Sequence, residues 1–96
     1  MNVTRKGNDV IIDGNIKTTS DFQAIKALVD TLADRNAPLH IVVSDSISMT
    51  SSVIGYFTKL VLKDHVHLSL SIGNAELRAL LEELGVHELL HVRKLG

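Results

Sequence analysis

The sequence predicts an α/β protein with a mostly parallel, mixed sheet of four to five strands and helices mainly on one face. Three observations lead there. Runs with an apolar period of two alternate along the chain with runs whose apolar residues recur every three to four positions, and that alternation implies parallel strands joined by right-handed crossovers. Near the start, Gly7-Asn8-Asp9 separates two short β-like runs with turn chemistry, which predicts an antiparallel hairpin. Residues 65–72 set Val66, Leu68, Leu70 and Ile72 on one face and His65, His67, Ser69 and Ser71 on the other. A parallel strand covered on both faces is apolar on both, so this polar face predicts a sheet left open or thinly covered on one side.

The elements follow in order. Residues 3–5 and 10–12 form the hairpin strands, and Gly14-Asn15 ends the second. Ser20 caps the first helix, with Gln23 three residues later as in a capping box; Phe22, Ile25, Leu28, Val29 and Leu32 are its buried stripe, and Asn36 and Pro38 end it. Residues 39–43 are the next strand, running into the polar stretch Ser44-Asp45-Ser46-Ile47-Ser48. Met49-Thr50-Ser51-Ser52 opens a second helix whose inward residues are Val53, Ile54, Phe57, Leu60 and Val61, closed by Lys63-Asp64. After the strand at 65–72, Gly73 stops the chain and Asn74 caps a third helix with Leu77, Leu80, Leu81 and Leu84 inward and Gly85 at its end. Residues 86–90 add one more turn, and Val92 begins a short extended tail.

Composition narrows the function. The 96 residues fit a single domain spanning 1–96, and 45% hydrophobic content supplies a core. Ten basic and eleven acidic side chains nearly cancel, and only 3% of residues are aromatic, so neither an electrostatic footprint nor a stacking surface for nucleic acid is present. The absence of cysteine excludes disulfides, thiolate metal sites and a cysteine nucleophile. The apolar run at 10–12 is too short for a signal-peptide core, and no stretch approaches the roughly 20 apolar residues of a membrane span. The expectation is a cytoplasmic protein without membrane insertion.

The most informative segment is Met49-Thr50-Ser51-Ser52-Val53-Ile54-Gly55, where hydroxyls gather as a strand hands over to a helix. The first N–H groups of a helix lack internal partners, and the helix dipole favours negative charge there. A hydroxyl at that place serves as a cap; phosphorylated, it carries about −1.5 to −2 charges, which the helix end tolerates while the surface changes strongly. Plain capping is the simpler reading of Thr50, Ser51 and Ser52, and a switchable partner surface is the sharper one.

The order of elements, this hydroxyl cluster and the Asn74–Leu90 helix, with its segment Leu77-Arg78-Ala79-Leu80-Leu81-Glu82-Glu83-Leu84-Gly85, resemble the STAS family, which includes bacterial anti-sigma-factor antagonists. The family motif runs hydrophobic residue, Asp-Ser-Ser-Gly, Leu or Ile, Gly; here Thr50 stands in place of Asp and Val53 in place of the first Gly. The resemblance covers nearly the whole chain. It implies a non-enzymatic regulator without cofactor that works in signal transduction and transcription control by partner switching: a GHKL-type serine kinase that doubles as an anti-sigma factor phosphorylates the second serine of the motif, and a phosphatase reverses it. That serine is Ser52, with Ser51 and Thr50 as secondary acceptors. The implied contact residues are Ser51, Ser52, Val53, Tyr56 and Lys59. Tyr56 falls off the apolar stripe and is expected at the surface, and a β-branched Val53 is expected to stiffen and crowd the backbone next to the acceptor hydroxyl. The alternative is an unphosphorylated STAS subunit scaffolding a stressosome-like complex or a transport ATPase.

Other constellations carry less. His65 with His67, and His87 with His91, are spaced as imidazole pairs, but two ligands do not make a metal site and surface histidines explain them. Ser, His and Asp are all present without a Gly-x-Ser-x-Gly frame, so no triad is expected, and no phosphate-cradling glycine loop appears. Lys59 and Lys63 read most simply as a solvated face. The polar-faced strand leaves room for weak homodimerisation.

Overall fold

The computed structural model describes residues 1–34 and 36–95. It contains strands β1 (Asn2–Lys6) and β2 (Asp9–Asp13), helix α1 (Thr19–Leu32), strand β3 (Leu39–Val43), helix α2 (Ser51–Leu62), strand β4 (Leu68–Ile72), helix α3 (Ala75–Glu83) and strand β5 (Val92–Lys94). The five strands form one sheet in chain order; β1 pairs antiparallel with β2, and every later pair is parallel. The hairpin turn uses Gly7 at φ +65°, a left-handed conformation that suits glycine.

Strand order equals chain order from β2 to β5, so each right-handed crossover moves the same way along the sheet and sets its helix on the same face. Burial follows. Val10, Ile12, Leu39, Ile41, Val43, Leu68, Leu70 and Ile72 point toward the helices and are buried with Ile25, Val29, Val53, Phe57, Leu60, Leu77 and Leu81. On the other face, Ile11, His40, Val42 and Ser69 are only half-buried, and Arg93 is exposed.

Several boundaries differ from the sequence reading. Helix α1 is capped by Thr18 rather than Ser20: the Thr18 hydroxyl accepts from Asp21 N–H at 3.1 Å, and the Asp21 carboxylate accepts from Thr18 N–H at 3.1 Å and Lys17 N–H at 2.9 Å. Those backbone bonds hold the Asp21 carboxyl below its ordinary value. The capping box is therefore present but two residues earlier, with Asp in the role assigned to Gln23. The helix also ends at Leu32, before Asn36.

The run at 65–72 is a strand only from Leu68. His65 is left-handed at φ +56°, a conformation histidine tolerates better than most side chains, and Val66 N–H then reaches the Leu60 carbonyl at 2.9 Å. Val66 is buried because it closes the end of α2, and this imitated strand alternation. In α3, Leu77 and Leu81 are buried, while Leu80 and Leu84 face solvent. Asn74 caps that helix as expected, accepting from Leu77 N–H at 2.9 Å, and Gly85 ends it at φ +77°.

Candidate functional site

The parallel strands end at one edge, where the chain enters α1, α2 and α3 through Thr18, Thr50 and Asn74 as caps. Two loops at this edge are laced together. Ser46 is fully buried; its hydroxyl accepts from Ile16 N–H at 3.0 Å and donates to the Ser48 carbonyl at 2.6 Å. The Ser48 hydroxyl returns to the Ile16 carbonyl at 3.1 Å, the Asn15 amide oxygen accepts from Ile47 N–H at 3.0 Å, and the Asp45 carboxylate accepts from Gly14 N–H at 2.8 Å. Gly73 lies against the same loop so closely that a Cβ there would meet the Ser44 carbonyl oxygen at 2.1 Å. The start of α2 is thus set on a cross-linked platform. In the sequence this stretch is simply polar, and Ser46, just beyond the buried strand β3, is the residue whose hydroxyl is needed inside.

At the start of α2 the hydroxyls divide the work. Thr50 is the cap, accepting from Val53 N–H at 3.3 Å. Ser51 and Ser52 fall in the first turn and are exposed. No carboxylate occupies that turn, so the positive end of the helix is left uncompensated. Ser52 and Thr50 line a small cleft of about 110 Å³ with Lys17, Thr18, Thr19 and Phe22 from the start of α1.

Two expected contact residues are corrected. Val53 is fully buried, so its side chain packs into the core and is not presented at the surface. Tyr56 is only 6% exposed. Its ring meets Phe22 edge-on at 6.0 Å between centroids, the Lys26 ammonium stands 5.5 Å from its centre, and its hydroxyl donates to Asp30. Tyr56 belongs to the α1–α2 interface because a phenol buries its ring and still satisfies its hydroxyl. Lys59 is exposed and pairs with Asp64 at 3.2 Å.

The surface that α2 does present runs through Ser52, Gly55, Lys59 and Leu62, at helical spacing. Leu62 is 58% exposed, and the space around Gly55 is empty. Gly55 and Leu62 do not stand out in the sequence, and only their exposure places them on this surface.

On the open face the structure gathers Asp9, His40 and Ser71 across three neighbouring strands. His40 Nε2 lies 2.6 Å from Ser71 Oγ, and its Nδ1 lies 3.7 Å from Asp9 Oδ1. The residue types are those of a triad, yet Ser71 is in mid-strand, where the ladders to β3 and β5 engage the backbone groups that an oxyanion needs. The cluster satisfies the buried Ser71 hydroxyl. Among the described residues, no group of three or more His, Asp or Glu side chains is gathered to hold a metal. No described helix is long and apolar enough to cross a membrane.

Fold and site together define an α/β protein with one helical layer and a pre-formed, hydroxyl-bearing edge. Compared with models of known families and with curated proteins, the chain matches none.

Proposed function

We propose that this protein is a STAS-like, non-enzymatic regulator that binds a partner protein through the start and exposed face of α2, and that reversible phosphorylation of Ser52 controls the binding. The observation that carries this reading is the division of labour at α2: Thr50 caps the helix, which leaves Ser52 exposed and free for modification. A threonine in place of the family's aspartate keeps a capping oxygen without adding negative charge beside the acceptor. A phosphate on Ser52 would stand at an uncompensated helix end, in the cleft that Lys17 lines. The fold would tolerate the modification while the surface seen by a partner gains about two negative charges. The partner proposed is a GHKL-type serine kinase with anti-sigma activity, opposed by a phosphatase, in a bacterial cytoplasm.

The test is a pull-down from native cells with the wild-type chain and Ser52→Asp as baits. Wild-type bait should recover a GHKL-type kinase, and Ser52→Asp should recover much less while its circular dichroism is unchanged. Recovery of a transporter or a ring assembly by both baits alike would replace this reading with an unphosphorylated scaffold.

A further inference from the structure

The opposite edge of the sheet carries a second cleft, which does not rest on the Ser52 reading. Pro38, His67, Leu68, Ser69, His91 and Arg93 line an open depression of about 230 Å³ where the parallel strands begin. Three of these six side chains are basic, one is a hydroxyl, and none is a carboxylate. His91 is one of two non-glycine residues with positive φ among the described residues, at +51°. Histidine tolerates this left-handed conformation better than most side chains, and here it fixes where the imidazole stands at the start of β5.

Several bonds hold it. The His91 N–H donates to the Glu88 carbonyl at 3.1 Å, and the His91 carbonyl accepts from Leu70 N–H at 3.3 Å. Ring Nδ1 lies 2.9 Å from the Leu68 carbonyl. A carbonyl only accepts, so Nδ1 carries the hydrogen, and Nε2 is the nitrogen left for a ligand. On β5, Arg93 is exposed and stands in register with Ser71. Its planar guanidinium offers two parallel N–H donors, a fork that fits two oxygens of one phosphate. The Ser69 hydroxyl adds a further donor. On the open face Asp9 is separated from Ser69 by His40, which stands in register with both.

We infer that this cleft binds a small phosphate dianion, free or as the monoester of a small molecule, with Arg93 as the bidentate anchor, the Ser69 hydroxyl as a further donor, and His91 and His67 donating as imidazolium, the form that a bound dianion favours. The guanidinium and two imidazoles suit a dianion better than a monocarboxylate of similar size.

Amide chemical shifts of the intact protein test this, with inorganic phosphate, phenyl phosphate and acetate titrated separately. Phosphate or phenyl phosphate should shift the Ser69, His91 and Arg93 amides saturably with Kd of about 1 mM or tighter, and the tighter of the two identifies free anion or monoester. Arg93→Ala, an exposed substitution, should weaken binding about tenfold. His91→Asn should weaken it while the fold survives, because asparagine also accepts the left-handed conformation. Absence of saturable shifts, equal response to acetate, or unchanged affinity in Arg93→Ala would each overturn the inference.

Discussion

Tyr56 shows how one side chain is reassigned once packing is known. From the sequence it looked like an exposed aromatic one turn beyond the serines; in the fold it joins α2 to α1 through Phe22, Lys26 and Asp30. Asp30 titrates below its ordinary value, first because Lys26 bonds it and then because Tyr56 does, and the Tyr56 hydroxyl titrates above its ordinary 10.0, first through burial and then through Asp30. The two directions have opposite consequences. The Tyr56 contribution to stability is complete below pH 10 and is lost as pH rises toward the higher folded value, because the unfolded tyrosine ionises first. The Asp30 contribution is present above its ordinary 3.8 and is lost as pH falls through the lower folded value. Tyr56→Phe should cost about 1 kcal/mol at neutral pH and flatten the alkaline loss of stability, measured by urea denaturation at pH 7 and above pH 10. An unaltered midpoint at both pH values would remove Tyr56–Asp30 from the account.

Helix α2 holds most of the functional argument, and its two faces were unequally legible. The apolar spacing of Val53, Phe57 and Leu60 correctly located the helix and its buried side. The exposed side was harder to read, because a glycine, a lysine and a leucine share no property until burial shows that they share a surface. Which hydroxyl caps and which is free was also beyond spacing, since Thr50, Ser51 and Ser52 are all competent caps and only the hydrogen bond from Val53 decides. Thr50→Ala should therefore cost about 1 kcal/mol, while Ser52→Ala should leave the denaturation midpoint almost unchanged; equal losses in the two variants would mean that the division of labour is wrong. Gly55 separates stability from binding. Gly55→Ala should stabilise the helix by about 0.5–1 kcal/mol, since a mid-helix glycine is entropically costly and a Cβ there meets open space. Gly55→Glu should fold equally well and weaken partner binding, as calorimetric titration would read; undiminished binding would place the partner on another surface.

At the scale of the molecule, the open face was foreseen from one strand, and the one-way winding of β2 to β5 explains it. The prediction succeeded through Leu68 to Ile72 and failed at His65 and Val66, where a helix end imitated strand alternation. Cross-strand placement was not legible: Asp9 and His40, and likewise His40 and Ser71, are 31 residues apart in the chain, and only the parallel pairing of β2, β3 and β4 brings them together. The same holds for the lacing of Asn15 and Ile16 to Ser46, Ile47 and Ser48, which fixes the platform under α2. Two edges result, a hydroxyl-bearing one at Ser52 and a basic one at His91 and Arg93, separated by the length of the strands.

The central claim is that Ser52 is the modified residue of a binding switch. Intact mass of the protein purified from native cells, beside Ser52→Ala expressed in the same cells, tests it most directly. The account predicts a species heavier by one phosphate in the wild type that disappears in Ser52→Ala. A wild-type protein that stays unmodified in growing, stationary and stressed cells, or a phosphate that persists in Ser52→Ala, would contradict it.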